Sequence, residues 1–228
     1  MLNCYGQKEA NYWYFGNHAA LDFNSGAPVA VTNSAMFTGE GSASISDSAG
    51  SLLFYTKGDT VWNKNHVIMS KGIGLFGNGT STQTLIVPQP GNDSIYYIFT
   101  ADYQGNPNGF CYSIVNMNLQ GGLGEVNTAN IQLFTPSTEK VTAVKHRNKK
   151  DIWVIAHEWN SNTFFAFLLT SAGISAPVTS NVGTINTGAP GNGNAIGSMK
   201  ISPDGCRLGL CMRDRDMFEV FNFNNFTF

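Results

Sequence analysis

Two stretches of the chain, "SIYYIF" at 94–99 and "DIWVIA" at 151–156, are continuously apolar where a strand with one wet face would alternate. Runs of that length, rich in β-branched and aromatic residues, predict strands covered on both faces. "MFEVFNFNNF" at 217–226 behaves differently: Phe218, Val220 and Asn222 oppose Glu219, Phe221 and Phe223, the period-two pattern of a strand with one side toward solvent. No ten-residue stretch has helical periodicity, so the pattern predicts an all-β chain.

The strands recur in units. Four segments, 43–63, 85–117, 142–170 and 199–224, share one grammar of strand, tight polar turn, apolar strand, polar link and further strand. Aligning the strand residue after each turn matches Leu52, Ile95, Ile152 and Leu208, at intervals of 43, 57 and 56 residues. Four-stranded propeller blades repeat every ~40–50 residues, and longer links absorb the excess. Stacked blades also account for the continuous apolar runs, because each inner strand lies between two neighbours.

The expectation is therefore a β-propeller of four-stranded antiparallel blades occupying 11–228, with repeats near 40–84, 85–138, 139–197 and 198–228. About four blades are present, and they are expected to belong to a larger ring of roughly six to eight. The aromatic strand "NYWYFGN" at 11–17 is expected to complete a terminal blade, and 170–197 reads as the outer strand of the third blade followed by a long loop. Residues 1–10 read as the remnant of an export signal or as a disordered N-terminus.

Turn chemistry supports the hairpins. Pro203 presets the backbone of a type I turn, Asp204 tolerates the next position and Gly205 leaves it without a Cβ clash. Asp47 to Gly50 and Pro90 to Asp93 are looser versions.

Composition narrows the function. Charged residues make up only 12% of the 228, beside 25 glycines and 12% aromatics, a turn-rich, weakly charged profile that suits β structure. A net charge of -2 without a dense Lys/Arg run removes the attraction on which nucleic-acid binding rests, and Lys145, Arg147, Lys149 and Lys150 read as a hairpin tip. No apolar run approaches the ~18 residues of a membrane span. Cys206 and Cys211 share one strand about 16 Å apart, and with Cys4 and Cys111 they suggest buried small hydrophobes and one exposed thiol, not a disulfide framework.

The segments "QKEANYWYFGNHAALDFNSG" (7–26), "EGSASISDSAGSLLFYTKGDTVWNKNHVIM" (40–69), "STQTLIVPQPGNDSIYYIFTAD" (81–102), "YSIVNMNLQGGLGEV" (112–126), "EKVTAVKH" (139–146) and "SMKISPDG" (198–205) occur in this order. In that combination the chain resembles the N-terminal β-propeller of Bacteroidetes exported surface proteins, which often carry immunoglobulin-like modules and a gliding-motility sorting domain. The resemblance implies type IX secretion, a cell-surface or extracellular location, and further blades and modules in full-length relatives. It supplies no catalytic residues. Ser42 stands where the resemblance implies a cysteine, which weakens any inherited disulfide.

Tests for chemistry leave few candidates. In a sialidase-type box Cys206 would have to be glycine, and three of the four arginines, Arg207, Arg213 and Arg215, fall within nine residues of one hairpin while Arg147 stands apart, a distribution unlike a converging clamp. A glycoside-cleaving carboxylate pair needs a separation of about 5–9 Å, and none of the 15 acids is singled out; Asp214 and Asp216 read as a hairpin tip. His18, His66, His146 and His157 occur singly, which names no metal site, and no motif calls for a cofactor. The glycine groups at 72–79 and 121–124 lack the lysine of a phosphate loop and read as turns. Ligand-binding candidates are Trp62, Tyr103 and Trp159, whose rings could stack on sugars, and His157 at the end of a buried strand. The expected function is a non-enzymatic exported module for recognition or adhesion, binding a glycan or protein. The alternatives are a secreted polysaccharide-cleaving propeller enzyme and an incomplete propeller that self-associates through its open edge.

Overall fold

The computed structural model describes residues 8–77, 84–189 and 191–228. Its helical content among those residues is limited to 3-10 turns of three residues each; everything else regular is strand. The strands form five successive layers. The first is β1 (Tyr12–Phe15), β2 (Ala19–Asp22) and β3 (Val29–Val31). The second is β4 (Ala43–Ser46), β5 (Leu52–Thr56), β6 (Thr60–Asn63) and β7 (Ile68–Ile73), and the third is β8 (Thr84–Pro88), β9 (Ile95–Ala101), β10 (Phe110–Asn116) and β11 (Glu125–Phe134). The fourth holds β12 (Ser137–Lys145), β13 (Ile152–Glu158) and β14 (Ser161–Thr170), whose far edge pairs with β15 (Gly173–Ile174) and β16 (Val178–Asn186). The fifth is β17 (Met199–Ile201), β18 (Arg207–Met212) and β19 (Met217–Asn222).

Within each layer neighbouring strands run antiparallel. The second and third layers are joined by one parallel bridge, Glu125 with Ser70. Their opposite edges, β4 and β8, also touch, so these eight strands nearly close around a shared core. The bridge is reinforced by side chains: Glu125 accepts from Lys71 Nζ at 2.6 Å, Ser70 Oγ at 2.9 Å and Gln120 Nε2 at 2.8 Å. Those hydrogen bonds, Lys71 foremost, hold the Glu125 carboxyl down at about 2.

The continuous apolar runs are covered on both sides, as their pattern requires. Along β9, Tyr96 and Ile98 pack with Phe54, Val61 and Met69 of the second layer, while Tyr97 and Phe99 pack with Val154, Ala156 and Phe167 of the fourth. Along β13, Val154 and Ala156 face β9, and Trp153 and Ile155 face Leu208, Leu210 and Met212. A fourth apolar cluster, with Tyr14, Ala20 and Met36 against Leu52, Tyr55 and Trp62, joins the first layer to the second. Removal of this apolar area from water drives the stacking.

Leu52, Ile95 and Ile152 each open the second strand of their layer, and Leu208 is the second residue of its own. One expectation needs correcting. The strand within 11–17 does not join the fifth layer: β1 pairs with β2 in a layer of its own, so the described chain holds five layers where the repeat predicts four. The Gly16 to His18 turn, with positive φ at Gly16 and His18, folds β1 back onto β2.

The first hairpin of layers two to five ends in a turn stitched by a side-chain acceptor. Asp47 Oδ1 accepts from the Ala49 and Ser51 N–H groups, Asn92 Oδ1 from Ser94, Asn148 Oδ1 from Lys150 and Asp151, and Asp204 Oδ1 from Cys206. Gly50 and Gly205 take the positive-φ positions beside them. Cys111, Cys206 and Cys211 are free thiols, the first of them buried; Cys4 lies outside the described residues.

Candidate functional site

The hairpin tips of layers two, three and four converge. Asp47 and Ser48 from the β4–β5 turn, Pro88 to Asp93 from the β8–β9 turn, and Lys145, Lys149 and Lys150 from the β12–β13 turn line an open cleft of about 310 Å³ with Glu9 at its edge. Ile45, Tyr96 and Ile152 supply apolar contact within it. Acids thus come from the first two tips and the lysines from the third. Among the described residues the ion pairs lie elsewhere, Lys57 with Asp59, Lys71 with Glu125 and Arg213 with Asp214, and none within 4 Å joins the cleft's lysines to its acids. Several groups are already committed. Asp47 caps its own turn, Gln89 Nε2 donates to the Ser171 carbonyl at 2.9 Å, and the Tyr96 hydroxyl donates to the Asp93 carbonyl at 3.2 Å. Lys145, Asn92, Asp93, Lys149 and Lys150 remain exposed toward solvent. The tips are therefore rigid at the backbone and presented at the side chain, the usual arrangement of a binding surface on a β scaffold.

The opposite ends of the strands carry a second polar cluster, this one closed. Lys140 is fully buried on β12, and its ammonium donates to the carbonyls of Asn194 at 2.7 Å and Ala195 at 3.0 Å, pinning the connection from β16 to β17. Burial pushes that ammonium down to about 7, against the opposing charge of Glu139. Glu139 Oε1 accepts from the Gln104 backbone N–H at 3.1 Å. His157 Nδ1 donates to the Glu158 carbonyl at 2.8 Å, which leaves Nε2 to accept from the Asn186 amide at 3.3 Å. Burial, and then the Lys140 charge, pushes the imidazole down to about 4, so the ring is neutral near pH 7. It also meets Phe164 edge-on at 4.5 Å.

The structure separates the residues singled out as ligand contacts. Trp62 is buried and stacked on Tyr55 at 5.6 Å within the cluster that joins layers one and two. Trp159 is buried under Gly105: a Cβ on that glycine, at φ +81°, would lie 2.5 Å from the indole Cδ1. Neither ring leaves a face free for a sugar, so both act in packing. His157 is likewise interior, held by its own hydrogen bonds. Tyr103 is half-buried in the β9–β10 loop, beside Asp102, whose carboxylate caps that loop by accepting from the Tyr103 and Asn108 N–H groups. Of the turn residues, Asp47, Pro90 and Asp93 line the cleft and Gly50 belongs to one of its tips, whereas Pro203, Asp204 and Gly205 form the tip of the fifth layer outside it.

Sequence reasoning missed Lys140 and Glu139, consecutive charges in a strand that reads as half-solvated. It read Lys145, Lys149 and Lys150 as a hairpin tip, and their place in a cleft with two other tips was not visible from their clustering. Among the described residues no group of His, Cys, Asp and Glu is arranged to hold a metal ion, and no helix is long and apolar enough to cross a membrane. Comparison with family models, with curated proteins and with solved structures finds no match.

Proposed function

We propose that the protein is a non-enzymatic, exported β-propeller module of the cell surface that binds a glycan in the cleft between its hairpin tips. The propeller reading is supported by the five antiparallel layers, packed face to face in sequence order, with Leu52, Ile95, Ile152 and Leu208 near the start of successive second strands. Export to the surface rests on the family resemblance of the sequence. The observation that carries the binding reading is the convergence of three stitched turns on one cleft of about 310 Å³, which offers Lys145, Lys149 and Lys150 opposite Asp93 and Asn92, with Ile45 and Ile152 between them. A saccharide presents hydroxyls and apolar C–H faces together, and such a lining matches both.

The test is a glycan array on the purified chain, followed by calorimetric titration of any sugar retained. Lys149→Glu with Lys150→Glu is expected to weaken binding more than tenfold without moving the melting temperature, because both side chains are exposed. A chain that retains no glycan, or a double variant that binds as well as the parent, overturns the reading. Polysaccharide cleavage is the second reading, since Glu9, Asp47 and Asp93 share the cleft. Release of shortened products from a retained glycan would favour it.

A further inference from the structure

Among the described residues the first and the fifth layer each expose one apolar face, and the two faces differ. In the fifth layer Met199, Leu208, Leu210 and Met212 turn inward onto the fourth, and the register places Lys200, Arg207, Gly209, Cys211, Phe218 and Val220 on the other side. Phe218 is 64% exposed and Val220 56%. With Lys200, Arg207 and Cys211 they line a shallow groove of about 310 Å³. Gly209 keeps the groove low: a Cβ there would stand 2.9 Å from the Phe218 ring. At the far end the first layer turns Tyr14 and Ala20 toward the second layer, and the register leaves Trp13, Phe15, Ala19, Leu21 and Ala30 on its other side. Trp13 is 51% exposed and packs against Phe23 at 4.8 Å.

We propose that the outer face of β17–β19 is a self-assembly surface whose occupant is the outer face of β1–β3 of a second copy. Inside the chain, every layer lays one apolar face on the next layer, four times in succession. Among the described residues, the outer faces of the fifth and first layers leave Phe218, Val220, Trp13 and Phe15 exposed, without such a partner layer. Joining them repeats an interface the chain already makes. Exposed apolar area of this kind, bordered by charge, marks an interaction surface.

Charge selects the partner face. The outer side of β17–β19 carries Lys200 and Arg207 and no acid, so pairing two copies of it would oppose cations without a counter-charge. The outer side of β1–β3 carries no charge and presents the Trp13 and Phe15 rings, whose faces attract an ammonium or guanidinium. The contact is therefore heterologous, head to tail, and leaves one free face at each end of any open assembly.

The experiment is sedimentation of the full 24.7 kDa chain over a wide concentration range. The parent is expected to show species above the monomer that grow with concentration. Phe218→Asp and Trp13→Asp each remove one face and are each expected to be monomeric, whereas their equimolar mixture is expected to yield a capped one-to-one dimer, because each variant keeps the face the other lacks. Circular dichroism checks that both remain folded, and Val220→Lys repeats the Phe218 arm at a second exposed position. A parent that stays monomeric at the highest concentration overturns the proposal. So does a Trp13→Asp variant that still associates with itself, which would assign the fifth-layer face to its own copy, and so does a mixture that stays monomeric.

Discussion

β13 and β18 hold the same place in their layers, each the second strand of its unit, yet one is enclosed and the other has an open side. β13 turns Val154 and Ala156 to one neighbour and Trp153 and Ile155 to the other. β18 turns Leu208, Leu210 and Met212 inward, but Gly209 and Cys211 outward. The contrast is one of side chains alone, since both strands keep antiparallel partners on each edge. What a neighbouring layer adds is cover for every second residue, and along β13 the covered residues on both sides are apolar, from Trp153 down to Ala156.

The strongest way to break this contrast is to hollow out the enclosed side. Phe99→Ala, at a fully buried ring between the third and fourth layers, is expected to cost about 4 kcal/mol. Urea unfolding measures it, and a loss below about 1 kcal/mol would mean the layers do not pack on that ring.

The ends of the two strands sharpen the comparison through pH. His157 closes β13 in the interior, whereas Arg213 follows β18 in solvent. The folded imidazole sits near 4 against an ordinary 6.5, so the unfolded chain takes up a proton first as the pH falls. Its contribution is complete above 6.5 and disappears on the way down to about 4, a decline of about 3 kcal/mol. Melting temperatures across that window should fall for the parent and fall less steeply for His157→Gln.

Smaller effects come from the loops and edges. Gly105→Ala would press a methyl against the Trp159 indole at a positive φ, and a loss of about 2 kcal/mol is expected in the same urea assay. At the bridge between layers two and three, Glu125→Gln removes a carboxylate whose contribution is present above 4.5 and lost toward 2. That variant should show a flatter decline of melting temperature between those pH values. Smallest of all is Val220→Ser on the open face of the fifth layer, expected to shift monomer stability by less than about 0.5 kcal/mol; a large destabilisation would show that this face is already covered within the chain.

Much of this organisation was written locally. The runs at 94–99 and 151–156 announced two-sided cover because every residue in them had to meet a neighbour, and the alternation at 217–226 announced a wet side. Proline, Asp and Gly marked the turn at 202–205 because each has a fixed backbone preference. The pairing of β1 with β2 was hidden because aromatic alternation specifies a strand and not its partner. Exposure was hidden too: Trp62 and Trp159 carry the residue type of a sugar platform, and only the tertiary fold puts Tyr55 and Gly105 against them. Lys140 and Glu139 resemble any solvated pair in a strand, and nothing near them in sequence announces the carbonyls of Asn194 and Ala195, more than 50 residues away. The cleft was half legible, since its turns could be named but not their convergence.

Cys111, inside the third layer, has one further use. Burial pushes its thiol up to about 11, and its Sγ sits 3.1 Å from the Asn108 carbonyl, while Cys206 lies at the surface. A thiolate-seeking alkylating agent would consequently mark Cys206 at once and reach Cys111 only when the third layer opens around it. Peptide mapping of that slow adduct would make the native residue a built-in clock for breathing of the molecule's interior, with no residue introduced for the purpose.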